Sequence, residues 1–185
     1  MMSGDFKVTK ISDVIIFEPS VFKDERGFFF ENYNEREFSK YIGESVRFVQ
    51  DSHSKSTKGI LRGLHYQNPE PQGKIVRVVS GKVLDVTVDI RKSSKTFGEH
   101  FTIELTAEKH QCLWIPAGCA HGFFVLSESA ELQYKCTNYY YPENEQCIYW
   151  NDPYLAIDWH LNGTEVKLSK KDRKGVSFQN AVYFP

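Results

Sequence analysis

Three polar side chains of different chemistry fall close together in the stretch GILRGLHYQ, residues 59–67. Arg62, His65 and Gln67 are interleaved there with Leu61, Leu64 and Tyr66. In an extended chain, side chains two apart share a face, so His65 and Gln67 point the same way. Gly59 and Gly63 loosen the backbone, and glycine inside a strand marks a bulge or a close approach. A guanidinium and an imidazole between apolar anchors suit a small anionic ligand. A surface strand with a satisfied histidine fits the same residues. Further along stand Lys74, His121, Tyr134 and Asp172. Histidine serves as a general base near neutral pH. A carboxylate on its other nitrogen fixes the tautomer, and Asp172 is a candidate for that place. Lys74 can stabilise a developing oxyanion. Tyr134 can return a proton from another direction. This set fits proton abstraction next to a carbonyl. It does not fit nucleophilic hydrolysis, because no serine lies in a nucleophile-elbow context.

The elements that must carry these residues are mostly strands. Residues 14–17 form a short apolar run closed by Pro19, and residues 23–27 (KDERG) read as a turn. Residues 27–33 predict an aromatic strand. Residues 34–42 predict the one clear helix, with Asn34 as N-cap, Glu37 three residues on, Phe38, Tyr41 and Ile42 on its inner face and Gly43 at its end. Residues 46–49 predict a strand running into Gln50, Asp51 and Ser52. Residues 75–79 and the strictly alternating stretch 84–91 follow, separated by the turn Ser80-Gly81-Lys82. Further strands are predicted at 101–106, 111–115, 122–126, 130–137 and 148–150, with a turn at Pro116-Ala117-Gly118. From Trp159 the pattern weakens to a loop-rich tail with room for one short helix. Many short strands separated by turns indicate a sandwich or barrel.

The chain has 185 residues, which suits one domain over 1–185 with a sizeable core. Its net charge of −1 gives no global field to favour nucleic acid or a membrane surface. No apolar run approaches the roughly 18 residues of a spanning helix. The first six residues, MMSGDF, lack the regions of a signal peptide. A reducing, cytoplasmic setting is the expectation. Cys112, Cys119, Cys136 and Cys147 show no CxxC spacing and read as reduced thiols.

PAGCAH at 116–121 matches the PxGxxH signature of cupins, jelly-roll (double-stranded β-helix) proteins with a site inside the barrel. Metal-binding cupins add an upstream HxH and a glutamate. Here that place reads His65-Tyr66-Gln67, and a carboxamide is a poor transition-metal ligand beside imidazole. The expectation is a mainly β, cupin-like jelly roll with a few short helices and no bound metal.

Six ordered motifs carry a more specific resemblance: DERG at 24–27, GILRGLHYQ at 59–67, QGK at 72–74, WIPAGCAHGF at 114–123, YKCT at 134–137 and WNDP at 150–153. In order and spacing they resemble the dTDP-4-dehydrorhamnose 3,5-epimerase family. The resemblance implies a cofactor-free, metal-independent, dimeric jelly-roll isomerase acting on a dTDP-linked 4-keto-6-deoxyhexose. It implies His65 as base, Tyr134 as proton donor and Asp172 as the partner of the base; the enolate oxygen that such a base leaves needs a cation, the role for Lys74. It implies substrate contacts at Arg26, Glu31, Gln50, Asp51, Ser52, Arg62, Lys74, His121, Glu145 and Lys171, and a ring at Tyr140 that stacks on thymine. The family usually has asparagine at Ser52, glutamate at Lys170 and proline at His160. A hydroxyl does not reproduce both sides of an amide, so Ser52 bears on the identity of the sugar. Read without the resemblance, Tyr134 is one more inward aromatic, and Lys171 and Asp172 sit in a charged run that is normally solvated. A C3-only epimerase, a non-catalytic sugar-nucleotide-binding cupin and a metal-dependent oxygenase stand beside the main reading. The presence of both His65 and Tyr134 argues against the second, and the missing HxH against the third.

Overall fold

The computed structural model describes residues 4–11, 13–43 and 45–185. The leaderless reading of the N-terminus falls on residues 1–3 in part, and those lie outside the described residues. In chain order the elements are β1 (Gly4–Val8), β2 (Ile15–Pro19), β3 (Phe22–Asp24), β4 (Gly27–Phe29), α1 (Glu35–Ile42), β5 (Gln50–Thr57), β6 (Leu61–Gln67) and β7 (Lys74–Ser80). They continue with β8 (Lys82–Asp89), β9 (His100–Thr106), β10 (Cys112–Ile115), β11 (Cys119–Val125), β12 (Ser129–Cys136) and β13 (Glu145–Cys147).

Two antiparallel sheets make the jelly roll. One runs β1-β2-β10-β7-β12-β5 and the other β13-β6-β11-β8-β9. Val76, Val78, Val83, Leu105, Leu113, Ile115, Val125 and Leu132 interlock as one fully buried cluster drawn from both sheets. The predicted turn at residues 80–82 is a corner between sheets rather than a hairpin, since β7 and β8 lie in different sheets. In the five-stranded sheet, His121 stands opposite His65 and Phe123 opposite Arg62, so β6 holds one extra residue between these pairs. Gly63 sits in that bulge at φ +116°, and a Cβ there would come within 2.6 Å of the Gly122 backbone. In a regular strand, residues three apart face opposite ways. The bulge turns Arg62 and His65 to the same side.

Asn34 caps α1 as predicted, accepting the Glu37 N–H at 3.4 Å, and Gly43 ends the helix. Phe38 is buried, while Tyr41 is half exposed and stacks on Phe6 of β1. Several boundaries differ from the sequence reading. The aromatic strand is only Gly27–Phe29, paired with β3 in a separate two-stranded ribbon. Residues 46–49 are not a strand; they lead into β5, which the sequence reading did not mark. The last strand is β13, and Ile148 makes only an isolated bridge to Val176. β1 was not predicted. The tail carries two single 3₁₀ turns, Asp172–Lys174 and Phe178–Asn180. Among the described residues, no helix is long and apolar enough to cross a membrane.

Candidate active site

Between the sheets lies a cavity of about 330 Å³. One wall comes from the five-stranded sheet: Arg62 and His65 on β6, His121 on β11 and Glu145 on β13. The facing wall comes from the other sheet: Lys74 on β7, Tyr134 on β12, and Gln50, Ser52 and Ser54 on β5. Tyr140 and Lys171 close the rim.

His65 and Asp172 form a dyad although 107 positions separate them. The ring Nε2 is hydrogen-bonded to Asp172 Oδ1. Asp172 is buried, and its second oxygen accepts the Ser169 hydroxyl at 2.7 Å. Burial works against ionisation here, yet the bonds from His65 and Ser169 outweigh it and hold the carboxyl below its ordinary value. An ionised Asp172 accepts from Nε2–H, which leaves the lone pair on Nδ1. The carboxylate nearest to Nδ1 is Glu145, with Oε1 at 3.9 Å, beyond hydrogen-bonding range. Glu145 is engaged elsewhere, accepting the Tyr140 hydroxyl at 2.7 Å and the Lys171 ammonium at 2.6 Å. Those bonds overcome burial and keep it below its usual value, while the bond to Glu145, with burial, pushes the Tyr140 phenol up to about 12.

Across the cavity, burial raises the Tyr134 phenol well above its ordinary value, so the ring holds its proton. Its hydroxyl pairs with Ser54 Oγ at 3.0 Å. Burial pushes the Lys74 ammonium down, and carboxylates and thiols nearby only partly offset this. A buried cation of that kind gains most when an anion forms beside it. His121 is backed by Asp85 at 2.8 Å, and Asp85 is fully buried. Arg62 is steadied by Ser56 Oγ at 3.0 Å and by the Lys55 carbonyl at 3.3 Å.

Gln67 takes a structural part. Its amide donates to the Tyr139 carbonyl at 3.1 Å and accepts the Tyr141 N–H at 2.8 Å, which fixes the loop that carries Tyr140. Of the residues expected at the site, Gln50, Ser52, Arg62, His65, Lys74, His121, Tyr134, Tyr140, Glu145 and Lys171 line this one cavity, and Asp172 stands behind His65. Three do not join them. Arg26 is exposed at the tip of the β3–β4 ribbon, paired with Asp24. Glu31 accepts from Asn34 at 3.1 Å. Asp51 points to the outer face of its sheet, where it pairs with Lys135 at 2.9 Å. The sequence reading missed Ser54, Asp85 and Ser169. Ser54 could have been found by alternation from Ser52; Asp85 and Ser169 carry no local signal.

Comparison with known proteins follows the same lines. A family model described as dTDP-4-dehydrorhamnose 3,5-epimerase matches residues 8–180. The dTDP-4-dehydrorhamnose 3,5-epimerase of Pseudomonas aeruginosa is 56% identical over 175 residues, 95% of this chain and 96% of that protein. The crystal structure of dTDP-6-deoxy-D-glucose-3,5-epimerase from Legionella pneumophila, in complex with dTDP-4-keto-L-rhamnose, superposes with a TM-score of 0.94 at 47% identity. It covers 97% of this chain and 95% of that one. A 3'-monoepimerase from Streptomyces bikiniensis, in complex with dTDP-quinovose, gives a TM-score of 0.88 at 31% identity, covering 94% of this chain and 88% of that one.

Proposed function

The chain belongs to the dTDP-4-dehydrorhamnose 3,5-epimerase family and is an isomerase, and from that premise we propose that it inverts both C3 and C5 of dTDP-4-dehydro-6-deoxy-D-glucose, giving dTDP-4-dehydro-L-rhamnose for dTDP-L-rhamnose biosynthesis. The observation that carries this reading is the placement of His65 and Tyr134 on opposite sheets across one cavity. Inversion needs a proton removed from one face of a carbon and delivered to the other. The C4 carbonyl acidifies the protons on C3 and C5. His65 Nδ1 takes one, and Asp172 stabilises the imidazolium that forms. The electron pair moves to the C4 oxygen, where Lys74 stabilises the enolate. Tyr134, kept protonated by burial, gives its proton to the opposite face. Arg62 suits the pyrophosphate, since guanidinium forks match phosphate oxygens.

The reading has the chain as one domain working in the cytoplasm as a homodimer, with no cofactor and no metal. The β3–β4 ribbon supports the dimer. Phe22, Phe28 and Phe29 on it are 59–70% exposed, and Arg26 at its tip does not line its own cavity. If Arg26 and Glu31 contact substrate, they serve the cavity of a second copy. Mixing inactive His65→Asn with weakened Arg26→Ala protein should then give more activity than the two separately, because one cavity of each mixed dimer is intact. Strictly additive activity in a mixture shown to exchange subunits would remove this arrangement.

The similar fold of a 3'-monoepimerase favours a second reading, inversion at C3 alone. Proton NMR of the 4-keto sugar nucleotide with this protein in D2O separates them. Loss of both the C3 and C5 proton signals, with an L-sugar after reduction, is the expected result. Exchange at C3 alone selects the second reading, and no exchange at either carbon refutes both.

A further inference from the structure

Cys147 stands directly across from His65 in the pairing of β13 with β6, and opposed residues in such a pair bring their side chains together. Its sulfur, a His65 ring nitrogen and an Asp172 carboxylate oxygen all lie within 4.8 Å of one another. A tetrahedral Zn²⁺ with these ligand types holds its donor atoms roughly 3.3–3.6 Å apart, so shifts of about an ångström suffice. The ligand set mixes thiolate, imidazole and carboxylate, which suits Zn²⁺ or Co²⁺ over Mg²⁺ or Ca²⁺. Ser169 already orients the carboxylate through its 2.7 Å hydrogen bond, the supporting contact that metal ligands need.

We propose that Cys147, His65 and Asp172 form an inhibitory site for Zn²⁺ or Co²⁺, which silences the base by reversing its tautomer. The proton balance is explicit. Cys147 binds as thiolate and releases its proton to solvent. His65 gives the Nε2 lone pair to the ion, so its one ring proton moves to Nδ1. The nitrogen that must accept a proton from the sugar then carries one, and Glu145 Oε1 at 3.9 Å faces it. Asp172 exchanges its hydrogen bond for a metal bond. The inhibitory consequence rests on the reading of His65 as base; the binding itself does not.

Two measurements keep these apart. Co²⁺ titrated into the whole protein without substrate should give one equivalent of binding with a thiolate-to-metal charge-transfer band in the near ultraviolet. The band should vanish in Cys147→Ser and Cys147→Ala and persist in Cys112→Ser. In the epimerase assay, the Zn²⁺ concentration for half-inhibition should rise by about 100-fold or more in both Cys147 variants, the scale expected when a metal site loses a key group. Their activity without metal should match the unaltered chain. Absence of the band, or equal inhibition with and without Cys147, overturns the proposal. A band in a protein that does not turn over the 4-keto sugar upholds the metal site and refutes the function proposed above.

Discussion

Asp172 and Asp89 are both buried carboxylates, 2% and 0% exposed, and their surroundings differ sharply. Asp89 accepts from Arg91 Nε and Nη2, both at 2.9 Å, from the Arg91 N–H at 3.1 Å, from Ser94 Oγ at 2.5 Å and from Thr96 Oγ1 at 2.7 Å. Arg91 also reaches Asp13 at 2.7 Å. Burial opposes ionisation of Asp89, but these donors win and bring its pKa to about 2. Such a cluster is saturated, and it clamps the end of β8 to the following turn. Asp172 has one fixed partner in Ser169 and one in His65, whose second nitrogen lies beyond hydrogen-bonding range of the nearest carboxylate. The same buried-acid chemistry yields a clamp where donors are in excess and, on the function proposed above, a base where one ring nitrogen is left for the substrate.

The largest expected effect tests the reactive cluster. His65→Asn should lower epimerisation by about 10⁴-fold, the upper scale for a lost general base. Its thermal midpoint should stay near that of the unaltered chain. A fall of under tenfold in steady-state rate would break the contrast. Next comes the clamp. Asp89→Asn should leave kcat/KM at pH 7 nearly unchanged while costing about 3 kcal/mol of stability in denaturant titration, as for a broken buried pair. The sign of its pH dependence follows from the lowered pKa. Stabilisation by Asp89 is complete above its unfolded value near 4 and is lost as pH falls through about 2. The variant should lack that acid limb, and an unchanged limb would place the clamp elsewhere. The smallest effect is at Ser169, the fixed partner of Asp172. Ser169→Ala should reduce kcat about tenfold with KM unchanged, read from initial rates. A changed KM with unaltered kcat would make Ser169 part of substrate binding.

Much of the fold was legible because the core strands alternate. Residues 84–91 and 130–137 predicted β8 and β12 to within two residues at either end, and Asn34 with Gly43 bounded α1. β5 was not legible because QDSHSKST has no apolar face. One side of it meets solvent and the other, through Ser52 and Ser54, meets the polar cavity, so neither side carries the apolar alternation that marks a strand. β1 was hidden for another reason: it is an exposed edge strand of mixed residues. In the site, period-two reasoning put His65 and Gln67 together, whereas the bulge at Gly63 pairs His65 with Arg62 and Gln67 props a loop. Asp172 was only a candidate partner on chemical grounds until the family resemblance singled it out, since no local rule links it to a histidine 107 positions away. Arg26 and Glu31 lie outside the cavity that gathers most of the other expected residues.

The central claim is that base and acid act from opposite sheets. Tyr134→Phe keeps the ring and removes only the hydroxyl, while His65, Asp172 and Lys74 remain. The measurement is deuterium incorporation against product stereochemistry for this variant in D2O. The expected result is continued exchange at C3 or C5, as His65 returns a deuteron to the original face, with net inversion reduced by about 100-fold or more. Inversion at the unaltered rate would contradict the claim, as would loss of exchange and inversion in equal measure.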